Sequence, residues 1–415
     1  MTAQQNATDL AYLPATEALA LFRRRALSPV ELLDALIARA SAVNDRVNAL
    51  TWERFDQARD DARAAEARYA GDGATARSLE GIPVAIKDEM PIAGQPVTYA
   101  SLVFADHVAD STAPLAGRVL AAGGIVHART TMPEFACAGF THSKLFGDTR
   151  NPWNLAFDVG GSSGGSAAAL AAGLTTLAGG SDIGGSIRIP ASCCGVVGYK
   201  PAYGRVPQDP PFNLDHYCHE GPLARTVADC ALFANVISGP DPRDIVSLRE
   251  RVVIPEALGD VRGWKIALSV DLDEWDIDPD VRANTLAAAD ALRDAGATVE
   301  PVQIGWDRRA IIEAATIHFG SIFGAWIAGV AAEHRDAVTP YAREFAATVE
   351  AVAPGAVLRG YELEGEICGR LGAVLENYRL LLCPTLAVPA LAAGEAAFAD
   401  PRARNWGAGA LPASD

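Results

Sequence analysis

Residues 160 to 186 carry the densest chemistry in the chain. Gly160-Gly161-Ser162-Ser163-Gly164-Gly165-Ser166 opens the stretch and Gly180-Ser181-Asp182-Ile183-Gly184-Gly185-Ser186 closes it, with an Ala-rich helix expected over residues 167–177 between them. Glycines let backbone approach a ligand and aim successive N–H groups at an anion, and a hydroxyl there becomes a nucleophile once a base removes its proton. Other uses of such glycines fit less well. A phosphate cradle wants a lysine after the last glycine, and none follows; a dinucleotide fingerprint, Gly-x-Gly-x-x-Gly after a strand, is missing. Gly160-x-Ser162-x-Gly164 matches the hydrolase elbow Gly-x-Ser-x-Gly, but Asn151-Pro152-Trp153-Asn154 before it reads as a loop, and no His-Gly-Gly-Gly precedes it. A flexible linker would not contain the Ala-rich helix.

A serine nucleophile needs a base. The seven histidines, at 107, 127, 142, 216, 219, 318 and 334, stand in no telling context. His219-Glu220 has no second histidine at metalloprotease spacing, so metal is not expected. Lysine is the other choice. Among 35 basic residues only Lys87, Lys144, Lys200 and Lys265 are lysines, and Lys87 ends an apolar strand expected over residues 82–86. Arginine does not release its proton, whereas a desolvated lysine can. The plainer alternative makes Lys87 a solvated charge paired with Asp88 or Glu89.

These residues together resemble the amidase signature family. Gly81-Ile82-Pro83-Val84-Ala85-Ile86-Lys87-Asp88 is similar to its lysine strand. Thr131-Met132-Pro133-Glu134-Phe135 and Thr149-Arg150-Asn151-Pro152-Trp153 resemble its next landmarks. Residues 160–190, followed by Gly198-Tyr199-Lys200-Pro201 and Gly204-Arg205-Val206, resemble the signature itself, and Gly221-Pro222-Leu223-Ala224-Arg225-Thr226 is another family-like stretch. The similarity runs from about residue 15 to about residue 395. It implies a Ser–cis-Ser–Lys triad: Ser186 as nucleophile, Ser162 as bridge after a cis peptide, and Lys87 as base. Backbone amides of Ile183, Gly184, Gly185 and Ser186 are then the expected oxyanion hole, with Ser163, Asp182 and Arg188 supporting them. An acyl-enzyme on Ser186 would follow, and the scheme calls for no metal or organic cofactor.

These residues need a scaffold. Ser28-Pro29-Val30-Glu31 starts a helix with a capping box, and a second helix is expected over residues 52–69, ended by Gly71-Asp72-Gly73. Strands are expected at 82–86, 124–128, 263–270, 299–304 and 380–383, with helices at 115–121 and 278–295. Strands alternating with helices give an α/β fold with a mixed, largely buried central sheet flanked by helices, and a helical insertion in the C-terminal half. The expected divisions are an N-terminal helical segment over 1–70 packed on the core, an α/β core over 71–305, a helical cap over 306–378, and a last core strand with a shortened tail over 379–415.

Composition narrows the function. Half of the 415 residues are apolar, enough for a large core, and the formal charge is −16. That balance repels phosphate backbones and anionic membranes. No apolar run is expected to reach the ~20 residues of a membrane helix, and the N-terminus lacks a signal-peptide pattern. A cytoplasmic enzyme acting on a small amide is expected, with a homodimer as the default and the seven cysteines as buried, reduced thiols. Family members continue past the strand matching Leu382-Cys383-Pro384-Thr385 into further strands and a closing helix, which residues 405–415 do not resemble. The readings are thus an amidase hydrolysing a carboxylic amide to acid and amine, the amide-cleaving subunit of a tRNA-dependent amidotransferase, or a truncated, inactive relative.

Overall fold

The run Pro83–Lys87 is buried at every position, as a strand can be only where both sheet faces are covered. In the computed structural model, which describes residues 10–71 and 75–394, it is the second strand of a mixed six-stranded sheet. The strands are β1 (Leu50–Glu53), β2 (Pro83–Lys87) and β3 (Ile125–Thr130), then, after a small separate hairpin of β4 (His142–Ser143) and β5 (Gly147–Asp148), β6 (Leu177–Asp182), β7 (Val197–Gly198) and β8 (His219–Ala224). Their spatial order is β1-β3-β2-β6-β8-β7. β2 lies parallel to both β3 and β6, while β8 runs antiparallel to β6.

Helices cover this sheet: α1 (Ala15–Arg23), α2 (Pro29–Val47), α3 (Phe55–Ala70), α4 (Pro114–Ala121), α5 (Gly164–Ala171), α6 (Arg188–Cys194) and α7 (Val227–Ile237). α2 starts where the sequence says it should, with Ser28 and Glu31 closing the capping box and Pro29 in the first turn. α1 follows Pro14, which has no capping side chain; Asp229 of α7 instead accepts from the N–H groups of Ala15 (3.0 Å) and Thr16 (2.9 Å). Phe22, Leu32, Leu36, Val84, Ile86, Leu115 and Phe233 form one core cluster. Leu50, Ala128, Leu170, Ala178 and Leu223 belong to another. Each fully buried Leu, Ile or Phe is worth roughly 1.5–3 kcal/mol.

The α/β architecture is as expected, but several boundaries are not. The helix expected over 167–177 ends at Ala171, and Leu177–Asp182 is the strand β6 instead. Its Leu-Ala-Gly-Gly-Ser-Asp sequence has no β-branched residue to announce a strand. The glycines are there for space: a Cβ on Gly180 would lie 2.7 Å from Ser163 Oγ. The helix expected from residue 52 begins at Phe55, because Leu50–Glu53 pairs with β3.

The expected core over 71–305 is also divided. The described residues form two compact units, 10–256 with 392–394, and 257–391. In the second unit β9 (Lys265–Leu268), β10 (Thr298–Pro301) and β11 (Leu380–Leu382) make their own parallel sheet in the order β10-β9-β11, so these strands do not extend the central sheet. Sequence periodicity identifies strands but not which sheet they join. Helix α8 (Pro279–Asp294) packs on this sheet through Ala289 and Leu292. The block over 306–378 is helical throughout its long elements: α9 (Arg308–Phe319), a π-helical turn Gly320–Gly324, α10 (Ala325–His334), α11 (Pro340–Ala346) and α12 (Ala356–Leu375).

Arg308–His334 is continuous over 27 residues and, with a mean hydropathy of 1.4 in its most apolar window, is long and apolar enough to cross a membrane. Sequence reading missed it because Thr316, His318, Gly320 and Ser321 interrupt any contiguous apolar run. Of the seven cysteine thiols, Cys137, Cys194 and Cys230 are buried, whereas Cys368 is exposed, contrary to expectation. The expected stop at Asp72-Gly73 and the tail over 405–415 lie outside the described residues.

Candidate active site

Parallel pairing brings the C-terminal ends of β2 and β6 to the same edge of the sheet, the usual place for a ligand in an open α/β sheet. Lys87 is the last residue of β2 and is fully buried. Its Nζ donates to Ser162 Oγ at 2.8 Å and to Ser181 Oγ at 2.9 Å. Ser162 is also buried, just ahead of α5, and the Gly161–Ser162 peptide bond is cis.

Ser186 lies in the turn between β6 and α6 and is 8% exposed. The Ser163 N–H donates to the Ser186 carbonyl (3.0 Å), so the two serine-bearing turns run side by side. Ser163 Oγ also donates to the Ser181 carbonyl (3.2 Å) and accepts from the Ser181 N–H (3.3 Å), fastening the start of α5 to β6.

Asp182 organises the turn that carries Ser186. It accepts from the N–H groups of Gly185 (2.8 Å) and Ile187 (3.1 Å), and from Arg188 and Lys200 side chains. Burial alone would raise the Asp182 carboxyl, but the hydrogen bond and charge of Arg188, with the charge of Lys200, hold it well below the ordinary carboxylate range. This corrects one expectation. The Gly185 N–H is committed to Asp182, leaving Ile183, Gly184 and Ser186 as the oxyanion candidates of that turn. Asp182 and Arg188 are brought together as an ion pair at 2.8 Å.

The family model described as Amidase matches residues 31–407. The chain belongs to the amidase family. Amide hydrolysis is the chemistry of this family. Over 392 residues the chain is 35% identical to an acylamidase of Rhodococcus erythropolis, an alignment spanning 91% of this chain and 80% of that one. It is 40% identical over 303 residues to a subunit of the glutamyl-tRNA(Gln) amidotransferase of Roseiflexus sp., covering 72% of this chain and 61% of the relative. The crystal structure of a bacterial aryl acylamidase of the amidase signature family superposes with a TM-score of 0.86 at 30% identity, over 93% of this chain and 82% of that one.

Several residues of this amidase site were not foreseen. Glu89 Oε1 lies 3.0 Å from Lys87 Nζ. The plainer alternative for Lys87 is therefore half right: it is paired with Glu89, but inside the protein. Asp88 turns the other way, accepting from Thr98 Oγ1 (2.7 Å) and the Ala100 N–H (3.1 Å). Glu89 lies in the turn after β2, where the Met90 N–H donates to the Lys87 carbonyl (3.1 Å), so no strand pattern points to it. Ser181 and Glu220 are register partners across β6 and β8. Glu220 is buried, and burial, followed by the charges of Asp209 and Glu89, pushes its carboxyl well above the usual range. Asp158 accepts from the N–H groups of Gly160 (2.6 Å) and Thr141 (3.2 Å), holding the loop that leads into Ser162. Among the described residues no group of His, Cys, Asp and Glu is arranged to hold a metal ion.

Proposed function

We propose that this amidase cleaves a linear carboxylic amide by a serine mechanism, with Ser186 as nucleophile, Ser162 as proton bridge and Lys87 as base. The reading is carried by the 2.8 Å hydrogen bond from Lys87 Nζ to Ser162 Oγ between two buried side chains. Ser186 attacks the amide carbon as its proton passes to Ser162 and the Ser162 proton passes to a neutral Lys87. The oxyanion is received by the N–H groups of Ile183, Gly184 and Ser186; one such donor is worth roughly 10²–10³ in rate. Collapse breaks the C–N bond, the amine leaves with the proton returned through Ser162, and an acyl-enzyme on Ser186 remains. Water then attacks it by the same relay. Every proton and charge is handled by the chain's own groups, so the proposed reaction uses no metal or organic cofactor.

The substrate class is supported by the acylamidase relative, whose alignment extends through nine-tenths of this chain. The formal charge of −16 also favours a small molecule over a nucleic-acid partner. A panel of acyl and aryl amides, run with an organophosphonate serine probe, tests the proposal. Wild-type protein should be labelled at Ser186 and hydrolyse at least one amide, whereas Ser186→Ala should be unlabelled and inactive. Full activity in that variant would sink the assignment, and a folded wild type that is neither labelled nor active would point to the inactive relative. The 40% identity to an amidotransferase component favours a second reading. It predicts glutamine turnover only when the partner subunits are added.

A further inference from the structure

Lys87 faces more than the bridging serine. Ser181 Oγ accepts from the Lys87 amine at 2.9 Å and donates to Glu89 Oε1, which itself lies 3.0 Å from that amine. The three groups close a ring, and neither Ser181 nor Glu89 passes a proton in the proposed serine relay. The Lys87 side chain is fully buried and that of Glu89 is 17% exposed, so solvent screens the pair weakly.

We propose that Glu89 is a positioning residue for Lys87. It aims the amine at Ser162 and stands 3.0 Å from it, placed to pair with the charge that the relay leaves there. This rests on the reading of Lys87 as the base. When Lys87 is neutral, the step breaks the Ser162 O–H bond and forms an N–H bond on Lys87. The ammonium so formed is paired with the Glu89 carboxylate as it appears. Glu89 therefore speeds the proton transfer.

The groups around Lys87 leave this part to Glu89. Arg129 of β3 spends Nη2 on the backbone carbonyls of Lys87 (3.0 Å), Asp88 (2.9 Å) and Met90. Asp88 is held by Thr98 and Ala100. Asp182, next to Ser181 on β6, is taken by Arg188 and Lys200. Burial, ahead of the charges of Asp209 and Glu89, pushes the carboxyl of Glu220 on β8 well above its usual range. Tyr99 is pushed upward by burial and then by the charges of Glu89 and Asp88, so it stays neutral. Among the described residues, Glu89 is the carboxylate in ion-pair contact with Lys87.

The test is organophosphonate labelling at Ser186 over a range of probe concentrations, with each rate normalised to the sites labelled at completion so that misfolded protein drops out. Glu89→Gln and Glu89→Ser should both lower the limiting rate about tenfold or more, the scale of losing one close opposite charge, and leave the half-saturating probe concentration unchanged. Glu89→Asp, which keeps the charge, should recover most of that rate. Neutral variants that label at the wild-type limiting rate overturn the proposal. If Lys87→Ala is inert while they do so, only the role of Glu89 fails. Labelling of Lys87→Ala at the wild-type rate removes the base reading and this inference with it.

Discussion

Asp182 and Arg188 meet side-on: Nε donates to Oδ2 at 2.9 Å and Nη2 to Oδ1 at 2.8 Å, one turn of chain after the strand that ends in Asp182. The same carboxylate fixes the Gly185 and Ile187 amides, so the pair sets the shape of the turn bearing Ser186. Lysine cannot reproduce the planar fork. Arg188→Lys should fold normally and lose roughly tenfold or more in kcat/KM, the scale of a small misplacement at a reacting centre. Asp182→Asn leaves Lys200 and Arg188 without their anion and should cost about 3 kcal/mol. Because the Asp182 carboxyl is held below its ordinary range, this stability is present above pH ~4 and lost as the pH falls further. Urea midpoints of the two proteins should therefore converge under acid conditions.

Lys87 and Ser162 should act as a unit. They are proposed as successive stations of one proton relay, and they share one hydrogen bond. Lys87→Ala and Ser162→Ala should each lower kcat steeply, and the double variant should lose little more than the worse single one. Multiplying losses in the double variant would show two independent contributions and break the relay.

The two serine clusters, the lysine strand and the α/β class could all be read from the chain because each rests on local pattern. What escaped depended on pairing at long range. Glu89 is next but one to Lys87, yet its partnership with Ser181 spans 92 residues and follows from β2 lying beside β6. β6 was hidden because the space beside Ser163 admits only glycine at 180. The loss of Gly185 from the oxyanion candidates needed the position of the Asp182 carboxylate, which no spacing rule supplies. Strands 265–268, 298–301 and 380–382 were legible as strands, but nothing local says that they pair with one another.

Asp158 should leave a mark on stability. Burial pushes its carboxyl up to about 8, even though the Thr141 and Gly160 amides pull it down. A folded value above the unfolded one means the native state holds a proton that the unfolded chain has released, so stability falls as pH rises from ~4 toward 8. Asp158→Asn removes that slope while keeping an acceptor for the Gly160 N–H. Chemical denaturation at pH 5 and pH 8 should show the variant losing less stability between the two than wild type; parallel losses would rule out Asp158 as the source.

Glycines in two helices should respond in opposite ways to alanine. Gly165, in the first turn of α5, is pressed against Thr131: a Cβ would lie 2.6 Å from the Thr131 carbonyl oxygen and closer still to its amide nitrogen and hydroxyl. Backbone cannot yield as a flexible side chain can, so α5 would have to move, and Ser162 at its threshold with it. Gly165→Ala should therefore lose both stability and serine labelling. Gly369, in α12, has nothing within 4 Å of its would-be Cβ and is exposed. There the methyl meets no atom, and alanine gains about 1 kcal/mol of helix propensity. Gly369→Ala should raise the thermal midpoint and leave the labelling rate alone; a lowered midpoint would mean that α12 is not helical at that position.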